Sequence, residues 1–215
     1  MRILITAGGT REYIDPVRFI SNASTGKMGY ALARAALIAG HKVTLVTTLE
    51  KSKIKNQKSK MRIIPVETAS EMFDAVKKYF PRCDCLIMAA AVADYTPSRP
   101  AKTKTKRENK PLTIKLKPTP DIAKWAGNHK KKGQIVIGFA LEDKALLNRA
   151  EKKLKEKRLD MIIANTTTAI GADKITIQIK TPERKWLKIP KASKTVLARK
   201  IVSLMEGDKK NENNN

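Results

Sequence analysis

Arg2-Ile3-Leu4-Ile5-Thr6 leads through the polar loop Ala7–Thr25 into the stretch Lys27–Ala39, and then Val43-Thr44-Leu45-Val46-Thr47. The apolar residues of the middle stretch fall at 28, 31, 32, 35 and 38, the spacing of one helical face. Ser24 or Thr25 is placed to cap that helix, and Gly40 to end it. The pattern then repeats. Arg62–Val66 reads as a strand. Ala69–Tyr79 reads as a helix with Thr68 and Glu71 in capping-box spacing, and Pro81 breaks it. Cys85–Ala90 is an unbroken apolar run, as expected of a parallel strand buried on both faces. Strands alternating with helices predict an α/β fold, a mostly parallel sheet with helices on both faces.

The second half is less regular. Pro97–Lys110 is a basic loop, Leu112–Leu116 a short strand, and Asp121–His129 a short helix behind Pro118 and Pro120. Gln134–Phe139 reads as an apolar strand, Lys144–Lys157 as a charged helix and Met161–Ala164 as a buried strand. Ile175, Ile177 and Ile179 alternate with polar residues, and Trp186–Ile189 returns after the turn Thr181–Lys185, which predicts a β-hairpin. A last helix is expected over Ser193–Met205. At 215 residues the chain is expected to form a single domain over 1–207, with 208–215 a disordered polar tail. Residues 50–60 form a lysine-rich loop to which no role is assigned.

No apolar run reaches the roughly 18 residues a membrane-spanning helix needs, and Met1 runs straight into the first strand, so no signal peptide is expected. Cys83 and Cys85 are too few and too close for a disulfide framework, and a reducing cytoplasm is the expected location. Forty-five Lys and Arg against 20 Asp and Glu give a net charge of +25. That balance favours polyanionic partners without choosing among nucleic acid, anionic membrane and phosphorylated small molecules. Aromatic residues are only 5% of the chain, which argues against a nucleic-acid surface built on stacked bases.

Four segments can carry chemistry. Gly8, Gly9 and Thr10 follow the first strand, where open α/β sheets bind ligands, and paired glycines let backbone N–H groups approach an anion. A tight turn is the plain alternative. There is no G-x-G-x-x-G and no acid at the end of Val43–Thr47, so a nicotinamide-dependent oxidoreductase is the weaker reading. Ser21-Asn22-Ala23-Ser24-Thr25-Gly26-Lys27 precedes a helix N-terminus, which favours phosphate, although Ser24 and Thr25 can be caps alone. Asn22 offers both donor and acceptor for an acyl group, and Arg18 can add an anion-binding fork. Ala89-Ala90-Ala91-Val92-Ala93-Asp94 puts small residues at a buried strand end, leaving room for a flat base or sugar that Asp94 can contact. Arg99–Lys117 holds eight Lys or Arg and one acid, either a solvated charge run or a mobile loop that closes cations over a triphosphate. His41 and His129 are isolated, and no protein metal site is expected.

Ile5-Thr-Ala-Gly-Gly-Thr-Arg-Glu12, Asp15-Pro-Val-Arg-Phe-Ile-Ser-Asn-Ala-Ser-Thr-Gly-Lys-Met-Gly29, Ala89–Tyr95, Thr119-Pro-Asp-Ile122 and Gly138-Phe-Ala-Leu-Glu142 resemble the phosphopantothenate–cysteine ligase family. The likeness runs from about residue 2 to residue 205 and is to a free-standing form without a flavin decarboxylase domain, so no flavin site is implied. It implies a Rossmann-like fold and a homodimer, with a flap from the second half. It also implies a ligase of coenzyme A biosynthesis that joins 4′-phosphopantothenate to L-cysteine through an acyl-nucleotide. CTP, or ATP, is the co-substrate, with Mg²⁺. By resemblance Asn22, Lys104 and Arg18 are the catalytic residues. Met88, Ala89, Ala90, Asp94, Lys104, Pro120, Asp121, Ile122, Ala123, Phe139, Lys153 and Lys157 contact the nucleotide. Gly8, Gly9, Thr10, Asn22, Ser24 and Thr25 form the substrate side. The basic loop departs from the family at Thr105, where isoleucine is usual, so Lys102 is an alternative to Lys104.

Overall fold

The computed structural model describes residues 1–49 and 61–212; the lysine-rich loop expected at 50–60 and the end of the expected tail, 213–215, lie outside the described residues. In chain order the elements are β1 (Arg2–Ala7), β2 (Arg11–Tyr13), β3 (Phe19–Ser21), α1 (Lys27–Ile38), β4 (Lys42–Thr47), β5 (Met61–Pro65), α2 (Ala69–Tyr79), β6 (Cys85–Met88), β7 (Tyr95–Pro97), β8 (Leu116–Pro118), α3 (Ile122–His129), β9 (Ile135–Glu142), α4 (Leu146–Glu156), β10 (Met161–Thr166), β11 (Lys174–Lys180), β12 (Leu187–Ser193) and α5 (Lys194–Glu212). Among the described residues no helix is long and apolar enough to cross a membrane.

Eight strands form one sheet in the order β5-β4-β1-β6-β9-β10-β11-β12. The six from β5 to β10 are parallel, and β11 and β12 close the far edge as an antiparallel hairpin. The chain moves outward from β1 in one direction through β4 and β5. It then crosses over and moves outward in the other direction through β6, β9 and β10. That reversal opens a crevice beyond the carboxyl ends of β1 and β6, where Rossmann-type sheets bind their ligands.

The alternation of β1 builds two cores. Ile3, Ile5 and Ala7 pack toward α1 and α5 with Leu32, Ala36, Leu197 and Ile201. Leu4 points the other way, among Met72 and Val76 of α2, Ile122 and Ala126 of α3, and Leu154 of α4. Both faces of the sheet are covered, as expected. A fully buried Leu or Ile contributes roughly 1.5–3 kcal/mol, so the two cores anchor the strands whose ends form the crevice.

Several boundaries differ from expectation for identifiable reasons. Helix α1 buries Gly29, Leu32, Ala33, Ala35 and Ala36, a face rotated from the expected one, and Ile38 is 70% exposed. The rotation follows from Gly29, which lies against β1; a Cβ there would come within 2.5 Å of the Cβ of Ala7. Neither Ser24 nor Thr25 caps α1, because Gly26 occupies the cap position at φ +70° with no side-chain bond. At α2 the capping box is displaced by one residue: Thr68 accepts the Glu71 N–H at 3.2 Å, while Glu71 reaches back to the N–H of Glu67 at 2.7 Å. The strand expected at Leu112–Leu116 is Leu116–Pro118, set by pairing with Tyr95–Pro97. The polar loop expected between Ala7 and Thr25 contains the β2–β3 ribbon. Helix α5 runs to Glu212, into the expected disordered tail. Once its first turns are nucleated on the core, each further residue adds a backbone hydrogen bond.

Candidate active site

The loops after β1 and β6 are stitched together at the crevice. Thr6 Oγ1 accepts the Ala90 N–H (3.2 Å) and Thr10 Oγ1 the Ala93 N–H (2.9 Å), both threonines being fully buried. Ala91 donates its N–H to the Gly8 carbonyl (2.8 Å) and accepts the Thr10 N–H (3.2 Å). The same Ala91 carbonyl accepts the Asn22 Nδ2 amide at 3.1 Å. Asn22 is thus oriented by a residue 69 positions away, through one hydrogen bond of its amide NH₂. Gly9 permits this approach, since a Cβ there would meet the Asn22 carbonyl oxygen at 2.8 Å. Thr119 completes the floor: its N–H donates to the Asp94 carbonyl (2.9 Å), which fixes Pro120–Ala123 beside the β6 loop.

Above this floor lies a cavity of about 590 Å³, within the range usual for small-molecule sites. Asn22, Ser24 and Thr25 line it from the start of α1, and Met88, Ala89, Ala90 and Asp94 from the end of β6. Pro120, Asp121, Ile122 and Ala123 line it from the start of α3, Phe139 from β9, and Lys153 and Lys157 from the end of α4. Four cations, Lys27, Lys153, Lys157 and Lys194, face it against two lining acids, Asp94 and Asp121. Lys157 pairs with Asp121 at 2.9 Å, Lys153 with Glu142 at 3.7 Å, and Lys27 with Asp173 at 2.9 Å. Burial, with Lys27 close by, lowers the pKa of the Lys194 ammonium. The first turn of α1 has no acidic residue and no side-chain cap, so its dipole also favours an anion in the cavity.

Five expected site residues lie elsewhere. Gly8, Gly9 and Thr10 do not line the cavity; the Gly8 carbonyl and the Thr10 N–H bond to Ala91, which joins this turn to the β6 loop. Arg18 does not line it either. Its guanidinium is engaged by Asp15, whose carboxyl it holds well below the usual carboxylate range, and by the Thr105 carbonyl at 2.8 Å. Lys104 is exposed in the loop beside Thr105, outside the cavity wall. Conversely, sequence reasoning passed over Asn165, Lys27 and Lys194. Asn165 had a signal, a polar residue ending the buried strand at Met161–Ala164. The two lysines had none, because the chain is rich in lysine throughout.

Burial pushes the Cys83 thiol up to about 11, in keeping with a small residue entering a strand rather than a nucleophile. Among the described residues no group of three or more His, Cys, Asp or Glu is arranged to hold a metal ion.

A family model described as the DNA/pantothenate metabolism flavoprotein C-terminal domain matches residues 1–207. The chain belongs to this family. It is 47% identical over 171 residues to a protein named cysteine/cysteine sulfinic acid decarboxylase, from an unknown prokaryotic organism; the match covers 80% of this chain and 47% of that protein. It is 46% identical over 170 residues to the coenzyme A biosynthesis bifunctional protein CoaBC of Bacillus subtilis, covering 79% of this chain and 41% of that one. The chain therefore spans about half the length of the curated relatives it matches. A crystal structure of the C-terminal domain of a CoaBC protein superposes with a TM-score of 0.81 at 38% identity, covering 98% of this chain and 96% of that one. This superposition agrees with the mostly parallel, Rossmann-like sheet.

Proposed function

We propose that this chain is a cytoplasmic ligase of coenzyme A biosynthesis that joins 4′-phosphopantothenate to L-cysteine at the cost of a nucleoside triphosphate, CTP in preference to ATP. The observation that carries the reading is convergence. Asn22, Asp94, the small-residue end of β6, Pro120–Ala123, Phe139, Lys153 and Lys157 are far apart in sequence yet line one cavity. The family and the CoaBC relatives supply the reaction class.

The chemistry follows from charge. A carboxylate does not accept an amine, because oxide is too poor a leaving group. Attack of the substrate carboxylate on the α-phosphate forms a mixed anhydride and expels pyrophosphate. The cysteine amine then attacks the acyl carbon, the nucleoside monophosphate departs, and the amine proton passes to solvent. The first attack brings anion to anion, so cations must gather around the triphosphate. Lys27, Lys194, Lys153 and Lys157 line the cavity, and on this reading Lys104 joins them from the basic loop. Mg²⁺ supplies further neutralisation at the phosphates when bound. It needs only one or two carboxylates beside phosphate oxygens, and Asp94 on the cavity wall is the residue that would hold it. On this reading Asn22, held by its Nδ2 bond to the Ala91 carbonyl, offers its Oδ1 as the acceptor for the attacking amine.

The test is pyrophosphate release with 4′-phosphopantothenate and either CTP or ATP, with and without cysteine. Release with CTP in the absence of cysteine is expected, with slower release from ATP. If neither nucleotide is consumed in the presence of the acid, the proposal fails.

A homodimer is part of the proposal. Val17 and Phe19 on the β2–β3 ribbon and Tyr95 and Leu116 on the β7–β8 ribbon are all exposed, and β2 packs beside β7. Two short ribbons presenting large apolar side chains beside a site suit a second copy of the same surface. Sedimentation is expected to give a dimer for the wild type and a monomer for the Phe19→Asp/Tyr95→Asp variant; a wild-type monomer at micromolar concentration would refute it.

A further inference from the structure

The turn between β2 and β3 holds a buried carboxylate that the reaction scheme does not use. Asp15 is 1% exposed. Its Oδ1 accepts the N–H groups of Val17 and Arg18, each at 2.9 Å. Its Oδ2 accepts Nε and Nη2 of Arg18, the first at 2.9 Å, and also the N–H of Thr105 at 3.2 Å. The Arg18 guanidinium turns on to donate to the Thr105 carbonyl at 2.8 Å. Four residues earlier in the same loop, the Ala101 N–H donates to the Ile14 carbonyl at 2.8 Å.

The arch 101–105 is therefore pinned at both feet to one turn, and Lys102 and Lys104 are the exposed cations between the feet. Thr105 is held by both of its peptide groups, one by the acid and one by the base of a single ion pair. Bonds to charged partners are roughly twice as strong as neutral ones. Nothing in the loop's own composition explains order here: residues 99–117 carry eight Lys or Arg, which repel one another. The order comes from the turn.

We infer that Asp15 and Arg18 form a positioning clamp that tethers the 101–105 arch, so that Lys104 is presented within reach of the cavity rather than wandering with the rest of the basic loop. Arg18 then acts through the loop and is not a catalytic residue. This inference rests on the reading of Lys104 as a cation of the ligase reaction, but the clamp itself is testable without any activity.

Amide hydrogen exchange of the full chain supplies the first measurement. In Asp15→Asn the Thr105 amide is expected to exchange about ten- to a hundredfold faster, from loss of a bond to a charged acceptor, while amides of β1 and β6 keep their protection. Arg18→Lys retains a charge beside Asp15 but cannot also fork to the Thr105 carbonyl. It is expected to loosen the same amide less, and it serves if Asp15→Asn fails to fold. Unchanged Thr105 exchange in both variants overturns the clamp. The second measurement is pyrophosphate release in a double-mutant cycle. Asp15→Asn is expected to lower the rate on the order of 10–10²-fold in the wild type and hardly at all in a Lys104→Gln background. Equal losses in both backgrounds would make Asp15 a merely structural residue. Loosened exchange in a chain that consumes no nucleotide would sink the ligase reading while leaving the clamp standing.

Discussion

Lys104→Gln is expected to slow pyrophosphate release on the order of 10²–10³-fold, about 2.7–4 kcal/mol of transition-state stabilisation, while leaving the folded state unchanged. The two halves of that expectation come from one observation. Lys104 is exposed and lies outside the cavity wall, so it buries nothing and its removal leaves no cavity and no unpaired partner. Surface changes of that kind stay within about 0.5 kcal/mol of stability. The same exposure leaves the charge screened by water in the resting protein; on the proposed reading it counts only where a bound triphosphate displaces that water. Once water is expelled, a unit charge interacts several-fold more strongly than at the surface. The cation therefore matters in the transition state and hardly at all in the resting protein. Its loss is expected to appear in the cysteine-independent half of the reaction, with an unchanged denaturation midpoint. Lys102→Gln is the control for register. Both lysines lie between the feet of the arch, but Lys104 adjoins Thr105, which both members of the Asp15–Arg18 pair hold. A loss confined to Lys102→Gln would transfer the role to that residue.

What could be read from the chain beforehand was whatever depends on local periodicity. β1, β4, β6, β9 and β10 are runs of Val, Ile, Leu and Ala long enough to announce themselves, and their alternation with helices implies the parallel order. The β2–β3 ribbon could not be read, and of the β7–β8 ribbon only one strand could, with its bounds displaced. Each is three residue pairs long; the first does not alternate apolar with polar residues, and the second, which does, is too short to stand out and has Pro97 and Pro118 inside it. They exist because the stitched loops behind them fix their ends. The cavity wall was legible where resemblance supplied the spacing, from Met88 to Lys157. The placement of Arg18 was not. A guanidinium near a helix start invites an anion, and only the fold reveals that Asp15, three residues earlier, already occupies it. The Asn22–Ala91 bond spans 69 residues and leaves no mark on either local sequence.

Asn22→Asp is expected to separate the two halves of the reaction. The wild-type amide donates Nδ2 to the Ala91 carbonyl, which also accepts the Thr10 N–H. A carboxylate of the same size has no proton to donate there. Two acceptors would face each other, so the side chain swings from the floor and the acceptor once held in place at the cavity edge is lost. Formation of the mixed anhydride depends on cations around the phosphates, supplied by other elements, and is expected to continue. Attack by the cysteine amine depends on a fixed acceptor beside the acyl carbon and is expected to fall by on the order of 10² or more, the usual contribution of a positioned proton acceptor. Pyrophosphate should then appear in an amount close to that of the enzyme, with acyl-nucleotide accumulating on the protein and little amide product. Rapid quenching followed by mass measurement distinguishes this from general inactivation. If both half-reactions decline together, Asn22 serves only to brace the loop against β6, and the stabilisation of the amine's attack must come from another group on the cavity wall, Asn165 being the next carboxamide that lines it.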